Sequence, residues 1–203
     1  VCTLPAGFAE SYLQVTVDLM GRHGAEAVLR RSGLARWIGR PQGSLAGEAL
    51  AFSDASAWLR GLEETLGPRG ARGLGRRMGA SAFDRVLRPS GVVAAMRDPA
   101  FQALPVDRRL RAGLYSLARV LGSWTSARLT TREDGEGLLL RSEPCPDCTG
   151  RQGTAPVCAA MVGLLSAAVT WIAVEASARW EEIACRAGGA PACEFRLRWE
   201  LPA

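Results

Sequence analysis

The sequence predicts an α+β fold: helices through the first part of the chain, then an antiparallel sheet of hairpins with a buried central helix. Three observations carry that expectation. Up to about residue 125, apolar residues recur at helical spacing between glycine stops, and beyond it the period shortens to two. The uncharged run from Val157 to Val174 interrupts the strand pattern, and a helix apolar on all sides belongs in a core. Two turns, Asp134-Gly135 and Gly188-Gly189, each separate a pair of alternating segments. The boundary divides the chain into 1–125 and 126–203, read as two parts of one continuous domain.

The first helix is expected from Ala6 to Met20, with Phe8, Tyr12, Leu13 and Val17 on one face, and the second from Ala25 to Arg31. Each ends at a glycine, Gly21 and Gly33, of the kind that closes helices in the left-handed conformation. A third starts at Ser53 or Asp54 as N-cap and runs through Trp58, Leu59, Leu62 and Leu66 to Gly67-Pro68. A fourth covers about Gly73 to Arg88. Pro105 opens the fifth, from Val106 to about Ser126, with Leu110, Leu114, Leu117, Val120, Leu121 and Trp124 marking its buried face. Arg128–Glu133 and Glu136–Arg141 form the first hairpin. In the second, Arg179–Cys185 pairs with a strand whose Cys193, Phe195, Leu197 and Trp199 face inward while Glu194, Arg196, Arg198 and Glu200 face out.

At 203 residues and 48% hydrophobic composition the chain buries a sizeable core. Its +5 net charge permits an anionic partner, but the basic residues are dispersed and no nucleic acid is expected to bind the chain by itself. All of them are arginines. The absence of lysine excludes Schiff-base catalysis and a P-loop, so Gly67 to Gly75 is read as a helix entry and not a phosphate cradle. His23, the one histidine, has no nucleophile placed near it, and the adjacent pairs Glu63-Glu64 and Glu181-Glu182 point their carboxylates apart. No catalytic residue is assigned. The apolar run lacks an aromatic belt and a positive flank, so no stable membrane insertion is expected. No signal peptide is read at the start, and the cysteine pairs therefore point to metal or redox chemistry in the cytoplasm.

Of six cysteines, Cys185 and Cys193 flank the Gly-Gly turn beside Glu182, and Cys158 comes from the apolar run. Three thiols and a carboxylate are a complete four-coordinate set, which holds a fold together and leaves no position for a reacting water. Glu182 and Cys185 are three apart and would face opposite sides of a regular strand, so a bulge, or a place for Cys185 in the turn, is required. Cys145 and Cys148 form a Cys-x2-Cys pair that serves equally as alternative ligands to the same metal, as a second site or as a redox dithiol.

Cys158-x4-Gly163 followed by Glu182-x2-Cys185-x3-Gly189-x3-Cys193-x-Phe195 resembles the 4-vinyl reductase (4VR) domain family. Met20-Gly21-Arg22-His23-Gly24, the Gly67–Gly75 stretch and Cys145-Pro-Asp-Cys148-Thr-Gly-Arg151 resemble its bacterial hydrocarbon-binding members. The family shares its fold with sensor domains of phenol- and xylene-responsive activators, haem-based nitric-oxide sensors and Golgi tethering subunits. The resemblance implies structural zinc on Cys158, Glu182, Cys185 and Cys193, although Ala190 stands where the motif carries Asp. It also implies a closed apolar pocket between central helix and sheet, with Val162 and Trp180 in its wall. Met161, Leu165, Trp171, Trp124, Leu138 and Leu140 are candidate further walls. No histidine matches the one phenol sensors use, so phenol itself is not the expected ligand.

The expected function is a cytoplasmic sensor or carrier of a hydrophobic small molecule. It would dimerise with a second copy through residues 1–125, which would also cover the pocket, and a separate partner would supply any output. Two alternatives stand beside it: an accessory factor or reductase of bacteriochlorophyll and other tetrapyrrole metabolism, and a structural interaction module. Against the reductase, the sequence has no nicotinamide or flavin fingerprint.

Overall fold

A computed structural model of the chain describes residues 2–41 and 43–200. The strand β1 (Thr3–Leu4) pairs antiparallel with β2 (Leu50–Ala51), closing the segment that contains α1 (Phe8–Arg31). Next come the long α2 (Phe52–Ala82), two single-turn helices α3 (Gly91–Ala94) and α4 (Pro99–Gln102), and α5 (Val106–Thr125). The second part contains β3 (Arg128–Glu133), β4 (Leu138–Glu143), the central α6 (Ala159–Ile172), β5 (Ser177–Ala184) and β6 (Cys193–Glu200). Helices followed by an antiparallel sheet confirm the α+β class. Among the described residues, no helix is long and apolar enough to cross a membrane.

The two glycine stops expected at Gly21 and Gly67 are present, but as kinks within α1 and α2, not as ends. Both residues take almost the same conformation, φ 70°, ψ 170° and φ 71°, ψ 171°, a region open essentially to glycine alone. Helical structure resumes at once beyond each, which is why the expected gap before Gly73 is absent. The N-cap of α2 lies at Ala51, earlier than Ser53 or Asp54. The Phe52 amide donates to the Cys2 carbonyl (3.1 Å), so the β1–β2 pairing gives this helix end a partner that a capping side chain would otherwise supply. Asp54 instead pairs with Arg36.

Helix α5 buries Leu110, Leu114, Leu117, Val120 and Leu121 as the periodicity predicts. Trp124 departs from that face and is 38% exposed, because Thr125 closes the buried stripe at the helix end. The first hairpin also differs from expectation. Glu133 faces Leu138, so the connection is the four-residue loop 134–137 and β4 starts two residues later than expected. Asp134 accepts from the Glu136 amide (3.2 Å) and from Arg196 Nη2 (2.7 Å), contacts that hold the wider loop against β6.

The sheet order is β3-β4-β6-β5, antiparallel throughout. Leu138 pairs with Leu197, Leu140 with Phe195 and Ser142 with Cys193, and all six side chains are buried on one face. The opposite face carries ion pairs among Arg141, Glu194, Arg196, Arg198 and Glu136. Arginines elsewhere also pair locally, among them Arg30–Glu26, Arg40–Glu48 and Arg88–Asp84, so the positive charge forms no stripe.

Helix α6 lies on the inner face, exposing Ser166 and Thr170 while Met161 through Leu165 are buried. Against it packs the second segment of α2, where glycines allow backbone contact. A Cβ at Gly79 would collide with the Ala160 carbonyl, and one at Gly163 with the Arg76 carbonyl. Gly75 sits 3.1 Å from the Ala159 Cβ by the same construction. Because the obstructing atoms are backbone, neither helix can yield without moving the other. The Gly79→Ala variant is therefore expected to lose about 1–3 kcal/mol in urea unfolding, whereas Gly73→Ala, on the open face of the same helix with nothing within 4 Å, is expected to gain about 0.5–1 kcal/mol. Equal effects at the two positions would contradict the close crossing.

Candidate functional site

The site forms where three chain segments meet at the N-terminus of α6. Cys158 is the N-cap of that helix, so its thiol stands at the end where backbone N–H groups lack helical partners. Two carboxylates from elsewhere supply acceptors. Glu182 Oε2 accepts from the Cys158 amide (2.9 Å), and Asp147 Oδ2 accepts from the Met161 amide (2.8 Å). Asp147 is 1% exposed and fixes the 145–148 loop to α6. Sequence reasoning missed this role, and the only signal was an acidic residue set between two cysteines. The loop is held internally by Thr149 Oγ1 donating to the Cys145 carbonyl (2.8 Å) and the Cys148 amide donating to the same oxygen (3.4 Å).

The third segment is the β5–β6 connection. The register slips between Glu182 and Ala184, a bulge at Ile183, and Cys185 lies beyond the strand at the start of a single 3-10 turn, Arg186–Gly188. Both devices that the three-residue spacing required are present. They bring Glu182 and Cys185 to the same side. Pairing of Ser142 with Cys193 sets the first thiol of β6 beside the loop that follows β4.

Five thiols therefore converge. Sγ–Sγ separations are 3.6 Å for Cys145–Cys158, 3.3 Å for Cys148–Cys193, 3.6 Å for Cys158–Cys193 and 3.8 Å for Cys158–Cys185. A disulfide needs roughly 2.05 Å, and all six cysteines are free. Sulfurs at the corners of a zinc tetrahedron with Zn–S near 2.3 Å would be about 3.75 Å apart. The thiols thus sit at the spacing of a metal's ligands. Two four-donor sets have every donor within 4.8 Å of the others: Cys145, Cys148, Cys158, Cys193, and Cys158, Glu182, Cys185, Cys193. Glu182 Oε1 is buried without a hydrogen-bond partner, as an oxygen reserved for a cation would be.

Burial pushes Glu182 up to about 8 and Asp147 up to about 7. The Cys145 thiol is pushed up to about 11, again chiefly by desolvation. Contacts with Cys145 raise Cys158 and Cys193 and lower Cys148, so the thiols share protons as one set. Tyr12, fully enclosed nearby, is raised by burial and then by Asp147.

The eight candidate pocket residues do not converge on one closed cavity. Val162 and Trp180 meet in an open groove of about 350 Å³ between α2, α6 and β5, with Leu59, Ala71 and Val157 in its floor and Arg72, Arg76, Arg151 and Arg179 around it. Met161 instead lines an apolar space of about 20 Å³ between α6 and the helices α1 and α5, too small for a ligand. Leu138, Leu140 and Leu165 are wholly buried in the core. Trp171 donates its indole N–H to the Val93 carbonyl (3.0 Å) under Arg88 and Arg97, and Trp124 stands on the outside of α5. A shallower depression of about 840 Å³ around Arg111, Glu133 and Arg198 is larger but laced with ion pairs and lacks an apolar floor. His23 is exposed at the α1 kink.

Residues 138–199 match the family model of the 4-vinyl reductase domain, which bears out the resemblance over the sheet and central helix. No curated protein sequence matches the chain. Solved structures similar to it include a mutant H-NOX of T. tengcongensis, with a TM-score of 0.60 at 13% identity over 98% of this chain and 99% of that one. An H-NOX protein from S. oneidensis in the Fe(II)NO ligation state gives 0.54 at 13% identity over 94% and 98%. The phenol-responsive sensory domain of the transcription activator PoxR, with phenol, gives 0.53 at 20% identity over 84% and 90%. The nitric-oxide-sensor fold expected from the sequence is thereby shown.

Glu182 and the raised thiols carry protons near neutrality, and a metal ion must displace them. Affinity for zinc is expected to weaken as pH falls, by roughly tenfold or more per unit between about 8 and 6 for each proton released. Competition with a chromophoric chelator measures this, and Glu182→Gln should flatten the slope. A slope of zero would contradict protonated donors.

Proposed function

We propose that this protein senses or carries a small molecule with an apolar or aromatic body, held in the groove of Val162 and Trp180 and backed by a structural zinc centre. One observation carries the reading: the groove and the thiol cluster share a wall. Glu182 lines the groove and also belongs to a four-donor set. Fixing Glu182 by a metal would fix Trp180, two residues away on the same strand face. The soft, thiolate-rich donors with one carboxylate suit zinc. A fully ligated ion leaves no position for chemistry, which favours binding as the function.

The groove also narrows the ligand class. Its volume lies at the lower end of small-molecule sites, and its floor is apolar beneath arginines. Trp180 is 5% exposed with an unpartnered indole N–H, a donor for a ligand oxygen. An aromatic carboxylate satisfies floor, donor and guanidinium groups together. Proteins of the same fold described as phenol-responsive or oxygen-binding respond to small ligands, and this supports a sensing role. Six free cysteines suit a reducing compartment, in keeping with the cytoplasm. Leu19 of α1 and Leu66 of α2, both over 40% exposed, suit a homodimer contact through the N-terminal helices. The tetrapyrrole and interaction-module alternatives gain no specific contact.

The test is calorimetric titration of the zinc-loaded protein with benzoate and 2-naphthoate against phenol and naphthalene. Binding by an aromatic acid is expected, weakened at least tenfold in Trp180→Ala and abolished when the floor is charged in Val162→Asp. Binding that is indifferent to both substitutions, or no binding by any of the four probes at millimolar concentration, would overturn the groove as the ligand site.

A further inference from the structure

The two four-donor sets share Cys158 and Cys193, and Cys145 and Cys148 complete one while Glu182 and Cys185 complete the other. Two tetrahedra with a common edge have this composition: two bridging donors and two terminal donors at each end. Resting on the zinc reading above, we propose that the cluster holds two zinc ions bridged by the thiolates of Cys158 and Cys193. The first is completed by Cys145 and Cys148, the second by Cys185 and Glu182.

The distances support a shared edge. Cys158 and Cys193 are 3.6 Å apart. From that edge, the Cys145–Cys158 and Cys148–Cys193 separations of 3.6 and 3.3 Å lead into one set, and the Cys158–Cys185 separation of 3.8 Å leads into the other. Both ends thus approach the edge of about 3.75 Å expected around zinc. The bridging residues are also the best anchored. Cys158 starts α6 and Cys193 starts β6, both wholly buried, and the Arg186 amide donates to Cys193 Sγ (3.4 Å).

Charge favours the pair over a single ion. One zinc occupying either set leaves two further ionisable donors buried beside it without a metal. If the ion takes the all-cysteine set, Glu182 Oε1 stays orphaned. If it takes the other, Cys145 and Cys148 remain as enclosed thiols. Two dications engage all six donors and spread the residual negative charge over two metals, lowering the cost of burying it. Each donor gives up one proton as the ions enter, so the balance needs nothing beyond zinc and solvent as proton acceptor.

The experiment is metal analysis and native mass spectrometry of the reduced full chain purified with zinc, followed by cadmium-113 NMR of the substituted protein. Two zinc ions per chain are expected, and two cadmium resonances with mutual coupling through the shared sulfurs. Cys145→Ser with Cys148→Ser should lower the content from two ions to one, as should Glu182→Gln with Cys185→Ser, with far-UV circular dichroism reporting whether each variant folds. One zinc in the wild type would overturn the pair while leaving the single structural ion intact. No zinc would overturn both readings, and two resonances without coupling would overturn the bridging thiolates. The wild-type stoichiometry decides even if a variant fails to fold.

Discussion

The structure depends on how the N-terminus of α6 is held in a dry interior. Its free backbone amides, two buried carboxylates and five thiols meet within a few ångströms, where each would be costly alone. Glu182 and Asp147 answer the helix end, and the thiols are left facing one another. Desolvation sets the protonation of the ensemble, raising both carboxyls towards neutrality and Cys145 well above it. A cation relieves that condition more completely than any rearrangement of hydrogen bonds, because it replaces shared protons with charge.

This junction also organises the molecule around it. The 145–148 loop extends from β4, Glu182 and Cys185 end β5, and Cys193 begins β6, so three of the four sheet strands are tied to the central helix at one end. On the opposite flank, α2 approaches α6 through Gly75 and Gly79 closely enough for backbone contact. The groove lies between these two attachments. Its walls therefore move only if the helix crossing or the thiol cluster moves, which is the preorganisation a binding site needs.

Much of the site was legible because its signals are local. Cys158, Glu182, Cys185 and Cys193 have a spacing that few other chemistries use, and the need for a bulge followed from strand geometry alone. The Cys-x2-Cys pair was visible too, but its distance from the other thiols depends on Ser142 pairing with Cys193, a long-range register. Asp147 was illegible for the same reason, since it caps a helix that begins a dozen residues later. The pocket residues were the least legible. An aliphatic or aromatic side chain looks the same in sequence whether it fills a core, as Leu138 and Leu165 do, or lines a groove, as Val162 and Trp180 do.

The sequence by itself determined the α+β class, the helix breaks at Gly21 and Gly67, the inward face of β6 and the donors available to a metal. Each is a matter of period, backbone freedom or side-chain chemistry, properties that neighbouring residues carry with them. Only the tertiary structure decided that six donors share one place, that α2 continues past its kink to close on α6, and that the cavity expected between helix and sheet is a groove against α2. These depend on which distant backbones meet and how closely. That is fixed by packing, to which every element contributes at once.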